Sequence, residues 1–198
     1  MPIKIKTIMY VCLEEMSAWS YAICAAIPGR VGRIIRRNMY GMFLSSGAGL
    51  TIDSSVVIAG MANITLGKNC SIGRNTSIFA REGKISIGNN FTINEGSTLG
   101  SDLSEIVIGD DVMIAQNVVL RSADHVFEDP KTPIKLQGHK IGKISVGNGA
   151  WIGANVVIVK GVSIGQHSVI GAGSVVTSDI PSMSVAAGVP ARVIKRRD

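Results

Sequence analysis

Most of the chain follows a six-residue pattern in which one aliphatic position alternates with a short polar run. Each unit begins with an aliphatic residue, continues with Gly or another turn-prone residue, and closes with a small residue and a free position. Units begin at Leu66, Ile72, Ile87, Ile108, Val146, Ile152, Ile164 and Ile170. Repetition at a fixed period indicates a solenoid, in which each unit is a short strand followed by a corner.

Three units close one triangular coil, and the spacing of the units shows how the coils stack. Val146 and Ile164 are 18 residues apart, which is one coil of three units. Leu66, Ile87 and Ile108 follow each other at intervals of 21, which predicts a coil with a three-residue bulge. The first position of each unit is expected to point inward and to build an aliphatic column that drives folding.

Two other positions of the unit are predicted to have a fixed role. The fifth position lies inside near a corner and is expected to be small, as at Cys70, Thr76, Ser168 and Ser174. The corners themselves carry Gly, Asn and Asp, because the backbone angles needed there are costly for other residues.

One long insertion interrupts the repeat. Ile108 and Val146 are 38 residues apart, about twenty more than one coil, and the extra residues fall within 121–143. Long loops inside compact repeats are commonly binding or catalytic elements. The pattern therefore divides the chain into an N-terminal segment (1–45), a β-helix (46–181, with the 121–143 loop) and a basic C-terminal tail (182–198).

The N-terminal segment does not follow the repeat. An apolar stretch over residues 8–27 is interrupted by Glu14 and Glu15, which makes a membrane-spanning helix costly, and no cleavable signal peptide is evident. Residues 28–40 alternate arginines with aliphatic residues at helical spacing. Two interpretations are compatible: a helical cap on the first coil, or an interfacial helix on an anionic membrane surface.

Composition and charge restrict the function classes. The 198 residues include 23 Gly and only 5% aromatic residues, as expected for a narrow aliphatic interior. The net charge of +6 is confined to the two ends, and no basic stripe with interleaved aromatic residues is present, which argues against nucleic acid as a partner. The three cysteines lack metal or disulfide spacing, which favours a reducing cytosol.

The repeat, the single loop and the closing stretch Asp179-Ile-Pro-Ser-Met-Ser-Val-Ala-Ala-Gly-Val-Pro-Ala-Arg-Val-Ile194 resemble the hexapeptide-repeat acyltransferases. The nearest branch is that of galactoside, maltose and nodulation O-acetyltransferases, with polysaccharide and lipopolysaccharide O-acetyltransferases. Residues 28–37 are similar to the N-terminal segment of the polysaccharide-modifying members. The resemblance implies a left-handed parallel β-helix, a homotrimer, acetyl-CoA as acyl donor in clefts between subunits, and no metal.

His125 is the predicted general base. It opens the long loop, where the resemblance places the catalytic histidine of the family, and imidazole titrates near neutral pH and can both take and return a proton. Asp124 is a candidate for orienting its ring. His139, at the far end of the loop, is interpreted as a polar loop contact, and His167 as an exposed corner residue.

Asn94 is predicted to contact the acceptor, because it aligns with the active-site asparagine of the family. It precedes His125 by about one and a half coils, so adjacent chains are expected to bring the two together. The resemblance assigns the donor site to Trp151, Ala172, Thr177, Arg192 and Lys195. Arg196 and Arg197 are interpreted as a solvated tail, and Ala154 replaces a serine of the galactoside enzymes, which removes one hydroxyl contact to CoA.

The predicted function is transfer of an acetyl group from acetyl-CoA to a sugar hydroxyl of a surface polysaccharide or its precursor, in the cytoplasm or at the inner face of its membrane. An N-acetyltransferase acting on an amino sugar stays open, although residues 1–45 are too few for the nucleotide-sugar domain that several such enzymes carry. Also open are an antibiotic acetyltransferase and a non-catalytic assembly subunit. A γ-type carbonic anhydrase is disfavoured, because His125, His139 and His167 lack its metal-ligand spacing.

Overall fold

The computed structural model of the protein describes residues 22–197, of which residues 45–188 form a triangular coil of three sheets built from parallel strands, with the long loop inserted. Sheet A contains β1 (Ser45–Ser46), β4 (Ile64–Leu66), β7 (Lys84–Ile87), β10 (Glu105–Ile108), β15 (Ile144–Val146) and β18 (Ser163–Ile164). Sheet B contains β2 (Thr51–Ile52), β5 (Ser71–Ile72), β8 (Thr92–Ile93), β11 (Met113–Ile114), β16 (Trp151–Ile152), β19 (Val169–Ile170), β21 (Ser184–Gly188) and β22 (Ala191–Arg196). Sheet C contains β3 (Val57–Ala59), β6 (Ser77–Phe79), β9 (Thr98–Gly100), β12 (Val119–Arg121), β17 (Val157–Ile158) and β20 (Val175–Val176).

The register of the strands confirms the coil lengths predicted from the spacing. Ile108 pairs with Ile87 on one side and with Val146 on the other, so the long insertion leaves the coil in register. Val146 in turn pairs with Ile164. The fold is a left-handed parallel β-helix of about six turns, as the resemblance implied.

The interior is a set of stacked aliphatic columns. In sheet B the inward positions are Ile52, Ile72, Ile93, Ile114, Ile152 and Ile170, all essentially inaccessible to solvent. The expectation that the fifth position must be small is wrong at Phe91, which is fully buried. Cys70 lies in the coil before it and Val112 in the coil after it, and these smaller neighbours leave room for the ring.

The corners adopt the left-handed backbone conformation that the sequence predicted. Asn69, Asn90 and Asp111 have φ between 55° and 57°, and their side chains form a hydrogen-bonded ladder from coil to coil. His167 also lies at such a corner, with φ of 55°, and its exposed position matches its interpretation as a corner residue.

All departures from the regular coil lie along one edge of the prism, where sheet C leads into sheet A. This insertion edge comprises the bulges at 60–63, 80–83 and 101–104 and the long loop at 122–143. The other two edges keep short corners, because each strand there is followed by its successor at the six-residue spacing. Extra chain at one edge is able to enclose a groove, which the regular corners cannot do.

Helix α1 (Gly29–Gly41) covers the first coil. Its buried face consists of Gly32, Arg36 and Tyr40, which recur every fourth residue. The Arg36 Nε donates to the Ile52 carbonyl (3.0 Å), and the Tyr40 hydroxyl donates to the Val56 carbonyl (2.9 Å). These contacts fit the interpretation of this segment as a helical cap on the first coil.

Residues 22–26 are also helical, whereas most of the apolar stretch predicted over 8–27 lies outside the described residues. Within 22–197, no helix combines the length and the apolar character that crossing a bilayer requires.

The segment predicted as a C-terminal tail is instead folded. β21 adds to sheet B in parallel with β19, and β22 turns back antiparallel to β21. Arg196 donates to the Ser182 carbonyl and Arg197 to the carbonyl of His167. Both arginines are exposed, as their interpretation as solvated residues requires, but they belong to a folded hairpin and not to a tail.

Candidate active site

The long loop begins and ends as a two-stranded antiparallel hairpin, β13 (Ala123–His125) with β14 (His139–Ile141). His125 pairs directly with His139 across the hairpin. Their ring centroids are 4.4 Å apart and the ring planes are inclined by 37°. Both side chains are exposed. The structure therefore places two imidazoles in contact where the sequence singled out one.

The other face of the hairpin is tied to the β-helix. Asp124 pairs with Lys140, and side chains of successive strand residues point to opposite faces. The Asp124 carboxylate accepts a hydrogen bond from Lys160 Nζ at 2.6 Å, and Lys140 forms an ion pair with Glu128. Asp124 therefore braces the hairpin against the next coil, and it does not bond to the His125 ring.

The tip of the loop is closed by its own polar groups. Gln137 Nε2 donates to the carbonyls of Asp129 (2.8 Å) and Thr132 (2.7 Å), while its Oε1 accepts from the Asp129 amide. The Thr132 hydroxyl and the Lys131 amide donate to the Asp129 carboxylate and lower its pKa. The ammonium of Lys140 likewise lowers the pKa of Glu128. The loop is thus an ordered support for the hairpin.

A groove of about 400 Å³ lies between the hairpin and the bulges of the insertion edge. It is lined by Arg81, Glu82, Asp102, Leu103, Arg121, Ala123 and His139. Its position follows from the fold, since the bulges at 80–83 and 101–104 and the loop share that edge. His139 therefore forms part of the groove wall, and its ring contacts that of His125.

Arg121 has a defined position in the groove. Its guanidinium carbon lies 5.0 Å from the centre of the Phe79 ring, and Nη2 donates to Asp102 at 2.6 Å. Gly100 lies on the strand between them, and a Cβ there would come within 2.6 Å of the Phe79 ring. The absence of a side chain at Gly100 permits this cation–π stack.

Asn94 lies at a different edge, where sheet B leads into sheet C. It follows β8 directly and takes the place that Gly73 and Gly153 hold in neighbouring units. Its backbone N–H donates to the Ile114 carbonyl (2.9 Å), and its side chain is partly exposed. Within one chain, Asn94 and His125 therefore lie at opposite ends of sheet C.

The predicted donor residues fall into two groups. Trp151 and Lys195 share the outer face of sheet B, connected through the pairs Trp151–Val169, Val169–Val185 and Val185–Lys195. The indole is 49% exposed, so it is available to a ligand.

The remaining donor residues lie near the corners of the last coil. Arg192 pairs with Ala187, which packs against Gly171 beside Ala172, at the edge between sheets B and C. Thr177 follows β20 and belongs to the insertion edge. A single chain does not bring all five donor residues to one place.

The helical cap encloses a second, apolar cavity away from the hairpin. An apolar pocket of about 210 Å³ lies between Ala22, Ala25 and the first coil, and the described residues that line it offer no acid or base group besides the Tyr40 phenol. Among residues 22–197, no group of three or more His, Cys, Asp or Glu side chains is arranged to hold a metal ion.

Comparison with known proteins gives consistent results for both parts of the β-helix. The family model for bacterial transferase hexapeptides (six repeats) matches residues 143–178, and the hexapeptide repeat of succinyl-transferase matches residues 63–101. The solved structure of the polySia specific acetyltransferase NeuO is 35% identical, with a TM-score of 0.52 over 78% of this chain and 69% of that one. The chain belongs to the hexapeptide-repeat acyltransferase family.

Two other relatives extend the comparison within this family. Galactoside O-acetyltransferase of Escherichia coli is 46% identical over 122 residues, which are 59% of this chain and 56% of the relative. A point mutant of AntD, an N-acyltransferase from Bacillus cereus, in complex with dTDP-4-amino-4,6-dideoxyglucose and coenzyme A, superimposes with a TM-score of 0.73 at 25% identity, over 82% of this chain and 89% of that one. The chain spans about half the length of the curated relatives that it matches first.

Sequence reasoning missed two features of this site. His139 was assigned to a polar loop contact, and only the hairpin register shows that it faces His125. The Phe79–Arg121 stack was also missed, although a sequence signal existed: Phe79, Gly100 and Arg121 follow each other at the 21-residue coil length, which aligns them in space.

Proposed function

We propose that this protein is an acetyl-CoA-dependent O-acetyltransferase that modifies a sugar hydroxyl, with His125 as general base. The observation that carries the proposal is the exposed imidazole of His125 on a braced hairpin beside a groove of about 400 Å³. Membership of an acyltransferase family and the O-acetyltransferase relatives support the reaction class.

The proposed mechanism is direct transfer within a ternary complex. The acceptor binds in the groove, and an imidazole nitrogen of His125 takes the proton of its hydroxyl as the oxygen attacks the thioester carbonyl. The tetrahedral intermediate then collapses, the carbon–sulfur bond breaks, and the proton passes from the imidazolium to the CoA thiolate. Asn94 contacts the acceptor, and Trp151, Ala172, Thr177, Arg192 and Lys195 bind the donor.

The working unit is proposed to be a homotrimer. Asn94 and His125 lie at opposite edges of sheet C, so one chain alone cannot bring both to the same acceptor. The long loop also exposes several large apolar side chains that a neighbouring subunit would cover. They are Phe127, Ile134, Leu136 and Ile141, each at least 52% exposed.

Hybrid trimers test this arrangement. Chains carrying His125→Ala are mixed with chains carrying Asn94→Ala, and each population alone is expected to be inactive. A site built from adjacent chains recovers activity on mixing, because some clefts pair an intact His125 with an intact Asn94. Failure to recover activity in verified mixed trimers would contradict the shared site.

The first experiment for the reaction itself is calorimetric titration of the protein with acetyl-CoA and, in parallel, with CoA. One saturable site per chain is expected. His125→Ala is then expected to keep this binding and to lose transfer by about 10²–10⁴-fold, since a general base contributes about that much. Unchanged turnover in this variant would refute the mechanism, and absence of donor binding would favour a non-catalytic β-helix.

N-acylation of an amino sugar is the alternative that one observation favours, namely the superposition on the N-acyltransferase AntD. The nature of the product separates the two, because an O-acetyl ester is released by mild alkali and an amide is not. Assays with paired amino and hydroxyl sugars, analysed by mass spectrometry before and after alkali, distinguish them directly.

We also propose that helix α1 binds the anionic inner surface of the cytoplasmic membrane, close to a lipid-linked acceptor. Its exposed face carries Arg30 and Arg37 beside Val31 and Ile34, and the helix contains no acidic residue. Basic and apolar side chains together favour binding to anionic lipid surfaces. Cosedimentation with anionic vesicles, lost in Arg30→Glu/Arg37→Glu and absent with zwitterionic vesicles, is expected.

A further inference from the structure

The pair of histidines on the hairpin has a consequence for the reaction. We propose that His139 is a positioning residue, which holds the ring of His125 in the orientation required for proton abstraction. The proposal rests on His125 being the general base. It assigns to His139 a role that differs from substrate binding or from support of the loop.

The register of the hairpin places the two histidine rings side by side. His125 and His139 are directly opposite on neighbouring strands, so their Cβ atoms are held at the distance typical of cross-strand pairs. A centroid separation of 4.4 Å brings the rings into van der Waals contact, and aromatic cross-strand pairs favour such tilted packing. The contact restricts rotation of an imidazole that is otherwise exposed.

The carboxylates near His125 in sequence are paired with lysines. A catalytic histidine is commonly oriented by a carboxylate, and the adjacent carboxylate, Asp124, is bonded to Lys160 on the opposite face. The neighbouring Glu128 is paired with Lys140 on that same face. Among residues 22–197, the aromatic ring that packs against His125 is that of His139. The packed ring of His139 thus restricts the orientation of the His125 imidazole, whereas a carboxylate would fix it through a hydrogen bond.

His139 lies on a fixed part of the fold, at the wall of the groove. It lines the groove together with Arg121 and Asp102, and its ring packs against that of His125. The hairpin beneath is fixed by the Asp124–Lys160 ion pair. His139 is therefore held on a fixed strand beside the base, which is the arrangement needed to keep the His125 ring in one orientation.

The size of the effect follows from the cost of misplacement. A displacement of about 1 Å at a reacting group costs roughly 10²-fold in rate. We expect His139→Ala to lower kcat about 10- to 100-fold, with little change in the affinity for acetyl-CoA. His139→Phe keeps a planar ring opposite His125 and is expected to restore most of kcat. His139→Asn, which has a polar group but no ring, is not expected to restore it.

The decisive measurement is a double-mutant cycle on kcat with His125→Ala, His139→Ala and the double variant. If His139 acts through His125, the double variant is as slow as His125→Ala alone and shows no additional loss. A residue that only supports the loop, or that binds the acceptor, still lowers the residual activity in the His125→Ala background. An additional loss there overturns the proposal.

Two controls keep the outcomes distinct. Lys140→Ala changes the neighbouring residue on the other face of the same strand and is expected to leave kcat within about twofold of the parent protein. Two-dimensional NMR of the imidazole groups reports the contact itself, because loss of the His139 ring shifts the His125 signals while other signals stay in place. Wild-type kcat in a folded His139→Ala refutes this proposal alone, whereas wild-type turnover in His125→Ala refutes the general-base mechanism itself.

Discussion

The buried side chain of Arg36 offers a direct test of how the N-terminal helix is attached to the β-helix. Its guanidinium is fully buried and donates to three carbonyls, from Nε to Ile52 (3.0 Å) and from Nη1 to Cys24 (3.0 Å) and Ile27 (2.6 Å). Methionine at this position has a similar length but no donor. Each carbonyl that loses its partner costs about 1 kcal/mol, and removal of the buried Nη2, which has no partner, offsets part of this loss. Arg36→Met is therefore expected to destabilise the cap by up to about 3 kcal/mol.

Hydrogen exchange of the amides in helix α1 measures this local stability directly. A loss of about 3 kcal/mol corresponds to a protection factor lower by roughly 100-fold, since about 1.4 kcal/mol is a factor of ten. The matched control is Arg37→Met, because Arg37 is the next residue of the helix and is exposed. Equal protection in Arg36→Met and Arg37→Met would show that water replaces the guanidinium without cost and would refute the reasoning.

Three further predictions concern the hairpin and the groove. Lys160→Ala removes the partner of Asp124, and proteolysis within 122–143 is expected to become faster while the coils stay resistant. Gly100→Ala places a Cβ against the Phe79 ring and the Arg121 guanidinium, so KM for the acceptor is expected to rise while donor affinity, measured by calorimetry, stays unchanged. The pKa values of Asp129 and Glu128 are lowered in the folded loop, so these carboxylates stabilise the loop fully above the ordinary carboxyl range and progressively less as the pH falls through their folded pKa values. The amides of residues 126–138 are therefore expected to lose exchange protection in acid before the amides of the coils do. Simultaneous loss of protection in the loop and the coils would contradict this.

The coil architecture was predictable from the sequence because each coil repeats the same physical requirement. An inward aliphatic residue recurs at fixed spacing, and the register of Ile87, Ile108 and Val146 follows from counting residues. The left hand of the coil was not predictable in this way, because the spacing is the same for either hand. It came from the resemblance alone.

The candidate site was predictable only in part, since its geometry depends on contacts without a period. His125 was found because a long loop and a histidine coincide, whereas its pairing with His139 depends on the hairpin register. Sequence adjacency left open whether Asp124 orients His125, and the hairpin shows its carboxylate turned toward Lys160 by the alternation along the strand. The C-terminal hairpin was missed because its strands carry several basic residues, which resemble a tail in composition.

The antiparallel turn between β21 and β22 has a consequence for association between molecules. A parallel β-helix presents unpaired backbone groups at the end of each sheet, and such edges can template further strands. β22 covers this edge of sheet B with a strand that runs in the opposite direction and carries Arg192, Lys195 and Arg196. A second molecule would meet a reversed strand and a row of like charges, so the hairpin acts as a barrier to end-to-end polymerisation into fibres.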